Sequence, residues 1–104
     1  MLDSDDRRDL LETLVNYMQK NNGAQAYSGA ITEWVGGNDT QVELQTEEIW
    51  VWNSGTAEYQ TVYYLLSNME NKWVIDQRTV LSSQSIDTGY ESYLSRIQAD
   101  APVV

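Results

Sequence analysis

Acid–base chemistry near neutral pH needs a side chain that titrates there, and this chain has neither histidine nor cysteine to supply one. What remains is carboxylates on apolar strands. Glu48 alternates with Leu44, Trp50 and Trp52 on one face of a predicted strand, where aromatic surface would desolvate it as a general acid or base requires. The plainer reading is a glutamate that reaches water at the sheet edge or pairs with Arg78. Asp76 and Arg78 lie two apart on a later strand, which places them on one face as a solvated ion pair or as polar groups of a pocket. Glu48, Asp76 and Arg78 are therefore the candidate polar groups of any pocket, and no side chain is expected to be catalytic. A metal site is not expected either. Asp3, Asp5, Asp6 and Asp9 diverge by about 100° per residue around a helix, and no EF-hand spacing is present. Gly36 and Gly37 have no lysine after them and no predicted strand before them, so they read as a helix stop and not as a phosphate loop. No cofactor is implied.

The elements that would position these groups come from hydrophobic spacing. Leu10, Leu11, Leu14, Val15 and Met18 form one face of a helix over about 5–20, with Ser4 as N-cap, aspartates in the first turn and Asn21-Asn22-Gly23 as the stop. Ala26, Ala30 and Trp34 make one i, i+4 row and Tyr27, Ile31 and Val35 the next, which predicts a second helix over about 24–35. From Val42 the period becomes two. Strands are predicted over about 41–53, 57–67 and 72–83, joined by short turns into an antiparallel meander. Thr88 and Glu91 form a capping box for a last helix over about 89–99, with Tyr90, Tyr93, Leu94 and Ile97 on its apolar face. The fold class is α+β: two N-terminal helices packed on a curved antiparallel β-meander, with a short C-terminal helix.

At 104 residues the chain fits a single domain. Its formal net charge of -10 disfavours nucleic acid, which needs a basic footprint, and anionic membrane surfaces. No apolar run is long enough to insert in a membrane, and the acidic N-terminus is unlike a signal peptide. A soluble, cytoplasmic protein is the expectation.

Tyr59 to Leu66, followed by Asn71-Lys72-Trp73-Val74-Ile75-Asp76, resembles the late hairpin of the cone-shaped fold typified by nuclear transport factor 2 and ketosteroid isomerase. Lys72 to Ile75 together with Val80-Leu81-Ser82-Ser83 is similar to the C-terminal domain type of plastid and cyanobacterial division proteins. The resemblance covers positions 42 to 83 and implies a cone between sheet and helices. An Asp and an Arg in such a cone, as at Asp76 and Arg78, are similar to those of the epoxide-hydrolase members of the fold, but their second Asp has no counterpart on these strands. The isomerase's tyrosine and paired aspartates match no position.

Apolar residues on both parities of the strands mean that something covers each side of the sheet. Trp50, Trp52, Tyr59, Tyr64 and Trp73 are the expected binding residues, because a helical layer covers one face and leaves rings on the other. The expected function is a non-enzymatic protein-interaction or oligomerisation module, with a protein partner or a homodimer. The alternative is a cone that holds a small apolar ligand or runs a simple acid–base reaction. A filled cone, plugged by Trp34, Tyr17 and Leu94, would favour the module, and a lined one the pocket.

Overall fold

A computed structural model of the chain describes residues 4–38 and 40–86. Helix α1 (Ser4–Gln19) is followed by strands β1 (Ala24–Gly37), β2 (Gln41–Trp52), β3 (Ala57–Met69) and β4 (Lys72–Ile86). The strands form one antiparallel sheet in the order β1-β2-β3-β4. The α+β class holds, with one helix where two N-terminal helices were expected. The expected C-terminal helix over 89–99 lies outside the described residues.

The segment read as a second helix is β1, an edge strand. Spacing of i, i+4 does not separate the two states, since residues four apart also share a face of a strand. Composition favours the strand. Tyr27, Ile31, Thr32, Trp34 and Val35 are β-branched or aromatic, and Gly29 would weaken a helix interior by about 1 kcal/mol relative to alanine. Three register shifts, at Ala24/Ala26, Ile31/Glu33 and Trp34/Gly36, break the alternation that would have exposed the period of two. A strand therefore does precede Gly36-Gly37. Gly37 ends it at a φ of 144°, and a Cβ there would sit 2.6 Å from the Gln41 carbonyl oxygen. Asn38 Oδ1 then accepts from the backbone N–H of Thr40 at 2.8 Å and of Gln41 at 3.1 Å, which turns the chain into β2.

Directly paired residues of antiparallel strands share a face. The register thus carries Tyr27, Trp50 and Glu58 to one side, with Gly29, Glu48 and Gln60, then Ile31, Thr46, Val62 and Val80, then Trp34, Leu44, Tyr64 and Arg78. Helix α1 covers this side: Leu10 and Leu14 pack with Val42, Leu44, Val62, Tyr64, Leu66 and Trp73. Gly29 makes room for Met18, whose Cε would lie 3.3 Å from a Cβ at that position. Thr13 Oγ1 donates to the Trp73 carbonyl at 3.1 Å and ties the helix to β4. Ala30, Ile49, Val51, Ala57 and Ile86 make a second buried cluster, and Tyr59 packs against it.

The β3–β4 turn places Glu70 at φ 53° and Asn71 at φ 67°, a left-handed pair. Such hairpins favour Asn-Gly, and glutamate there carries a steric cost of about 1–2 kcal/mol. The double substitution Glu70→Asn with Asn71→Gly should therefore raise the thermal midpoint. An unchanged or lower midpoint in a calorimetric scan would show that this turn stores no such strain.

Candidate functional site

Glu48 is the buried carboxylate among the described residues, 1 % exposed beneath α1. Its place follows from alternation along β2, which turns Val42, Leu44, Thr46, Glu48 and Trp50 toward the helix. Trp50 Nε1 donates to Oε1 at 2.9 Å, and Arg78 Nη2 donates to the same oxygen at 2.8 Å. Oε2 receives Thr46 Oγ1 at 2.8 Å and the Tyr64 hydroxyl at 2.5 Å. Two donors on each oxygen fill the roughly four acceptor positions of a carboxylate. Glu48 has no lone pair to offer a substrate.

Arg78 closes the cluster. It reaches inward from β4, across β3, and its Nε donates to the Tyr64 hydroxyl at 3.0 Å while Nη2 also meets Gln60 Oε1 at 3.3 Å. Its guanidinium carbon lies 5.2, 5.7 and 5.9 Å from the ring centroids of Tyr17, Tyr64 and Trp50. Cation–π attraction of this kind is worth roughly 0.5–2 kcal/mol depending on desolvation. Tyr17 comes from α1 and meets Trp50 edge-on at 6.5 Å, so its half-buried ring lies against both Trp50 and the Arg78 guanidinium. Tyr27 tilts against Trp50 at 6.1 Å, and Trp52 stacks on it at 5.3 Å with an interplanar angle of 4°.

Electrostatics follow the geometry. Burial, then the nearby Glu48 charge, push the Tyr64 phenol well above its ordinary value of 10.0. For Arg78, burial by itself favours the neutral form, but the Glu48 carboxylate and Tyr64 outweigh it and the guanidinium is held above its ordinary value. A phenol with a raised folded value keeps its stabilising neutral form below the unfolded value. That stability is whole below pH 10.0 and falls as pH rises from there through the folded value. Alkaline titration at 295 nm should thus show a late tyrosine ionisation that coincides with collapse of the circular-dichroism signal, and Tyr64→Phe should remove it. Ionisation of all seven tyrosines ahead of unfolding would contradict the placement of Tyr64.

The three polar candidates are not one group. Glu48 and Arg78 meet, as the pairing alternative expected. Asp76 stands apart: it accepts a hydrogen bond from Ser67 Oγ, a residue whose β-partner is Val74, and it forms no ion pair with Arg78. The cause is a bulge between the pairs Leu65–Gln77 and Leu66–Ile75, which leaves Asp76 as the extra residue and breaks the alternation that would have put it on the Arg78 face. The five aromatic candidates also divide. Trp50, Tyr64 and Trp73 are buried on the α1 side, whereas Trp52 and Tyr59 are half-buried. Trp34, expected as a plug, is exposed with the Arg7 guanidinium 5.7 Å from its ring centroid. Sequence reasoning missed Tyr17, Thr46 and Gln60 as members of the polar cluster. Thr46 and Gln60 were legible in principle, since they oppose or neighbour Glu48 once β2 and β3 are paired.

A groove of about 420 Å3 between α1 and the start of β4, lined by Asp9, Glu12, Thr13, Asn16, Asn71, Lys72 and Trp73, shares no residue with this cluster. Among the described residues no helix is long and apolar enough to cross a membrane. Comparison with protein-family models, with curated proteins and with solved structures gives no match.

Proposed function

We propose that the chain is a soluble, cytoplasmic, non-enzymatic protein-interaction or oligomerisation module. The observation that carries this reading is the saturation of Glu48. A general base must keep a lone pair within reach of a substrate proton, and all four acceptor positions of this carboxylate are taken by the protein's own donors. Of the three residues named as plugs of a cone, Tyr17 packs against Trp50 and Arg78, Trp34 is exposed, and Leu94 lies outside the described residues; the placement of Tyr17 supports a packed interior over an open pocket. The surface offers apolar side chains instead: Val74, Val80 and Leu81 on β4, Met69 at the hairpin, Trp34 and Val35 on β1, with Trp52 and Tyr59 as the accessible part of the aromatic set. Membership of the nuclear-transport-factor-2-like superfamily remains part of this proposal, supported by the late hairpin and by a helix laid across an antiparallel meander.

The test combines capture and titration. Affinity capture from native lysate should return one protein in stoichiometric amount, another copy of the chain included, while small apolar ligands leave tryptophan emission unchanged. Saturable quenching of tryptophan emission by such a ligand, without a captured protein, would overturn the module in favour of a pocket.

A further inference from the structure

We propose that β4 is a self-pairing edge: two copies of the chain join their β4 strands antiparallel about a two-fold axis at Thr79, making one continuous eight-stranded sheet. This rests on the interaction-module reading and names its partner.

The sheet order leaves the outer side of β4 without a strand partner among the described residues. An unpaired edge is a template for another strand, and proteins that remain monomeric blunt such edges with lysines, prolines or inward-turned charge. β4 carries such devices in its first half, as Lys72 and the inward-turned Arg78. From Thr79 to Ile86 it has no charged residue, no proline and no glycine. Its apolar side chains are open to solvent: Val74 is 36 %, Val80 40 % and Leu81 51 % exposed. The other edge is less suited, since β1 has three register shifts and ends in two glycines.

The partner is a second copy because β4 is compatible with itself in one register. Its two bulges put extra residues at Asp76 and Leu81, on either side of Thr79, which is the middle residue of the strand Lys72–Ile86. Turning the strand about Thr79 places Arg78 of one copy opposite Val80 of the other, Ile75 opposite Ser83, and Gln77 opposite Leu81. The β3 register assigns Ile75, Arg78, Val80 and Ser83 to the α1 side, so these pairs meet on matching faces in spite of the bulges. No two like charges stand directly opposite. With Arg78 paired to Glu48, β4 keeps Lys72 and Asp76 and so no net charge, which limits repulsion along this edge between copies that each carry -10. Screening should therefore tighten the dimer as salt rises.

Sedimentation of the whole chain at tens of micromolar should give a species of twice 11.9 kDa, with the dissociation constant falling several-fold on added salt. Thr79→Asp sets two carboxylates about 5 Å apart across the axis and should return the monomer mass. Thr79→Cys, in a chain without cysteine, should form a covalent dimer on mild oxidation, and Ser54→Cys in the β2–β3 turn should not. A monomeric wild type, a dimer that survives Thr79→Asp, a ladder of larger oligomers, or equal cross-linking at Ser54→Cys each overturns β4 self-pairing. None of these touches the module reading, which falls on ligand quenching without a captured protein.

Discussion

Replacing Glu48 by alanine should destabilise the protein by about 3–5 kcal/mol, the range for removing one partner of a buried ion pair. The size follows from what is left behind. The Arg78 guanidinium keeps its position among Tyr17, Trp50 and Tyr64 with Gln60 Oε1 as its remaining polar acceptor beside the Tyr64 hydroxyl, and the donors on Thr46, Trp50 and Tyr64 lose theirs. Small domains have about 5–15 kcal/mol in total, so the variant stands near the edge of folding. Glu48→Gln should recover only part of the loss: its amide oxygen can face Trp50 and Arg78 while its nitrogen donates to the Thr46 and Tyr64 hydroxyls, but the Arg78 guanidinium is left without a counter-charge. Urea denaturation followed by circular dichroism reads the effect as a lower midpoint at constant slope. A midpoint equal to or above that of the wild type would mean that the cluster is strained, as functional sites often are, and not a clamp.

Trp50→Ala should cost about as much, roughly 3–5 kcal/mol, for a different reason. The indole is fully buried at the meeting point of Tyr17, Tyr27 and Trp52, and it also donates to Glu48 Oε1. Alanine leaves a large cavity and one acceptor short of a partner. Trp34→Ala is the internal comparison: that ring is exposed and touches Arg7, so its loss should stay within about 0.5–1 kcal/mol. Denaturation curves on the two variants, read by far-ultraviolet circular dichroism, should differ by several-fold in free-energy loss. Equal losses would contradict the burial pattern of the sheet.

The parts of the fold that sequence spacing showed are those where a single period prevails. Leu10, Leu14 and Met18 mark α1 without ambiguity because they lie on one helical face and all three are buried. In β2, Val42 to Trp50 alternates cleanly, so the strand and the inward position of Glu48 were both readable. β1 was not. Its apolar residues repeat every four, a spacing common to both element types, and its bulges hide the period of two. The same physics separated Asp76 from Arg78, because one extra residue in β4 reverses the face of everything after it. The Glu48–Arg78 pair was named as one option from composition, but its closure by Tyr17 depends on where α1 crosses the sheet. No local pattern in the chain encodes that crossing.

Glu48 and Arg78 join β2 to β4 through a largely buried ion pair, which we propose is a structural clamp and not a reactive site. A double-mutant cycle over Glu48→Leu and Arg78→Met tests it most directly, since a cycle isolates the pair from its surroundings. Each single variant should lose several kcal/mol, and the double variant should lose about 2–3 kcal/mol less than the sum of the two, because an apolar pair strands neither ion although Thr46, Trp50 and Tyr64 still lose their acceptor. A coupling near zero, with single variants as stable as the wild type, would contradict it.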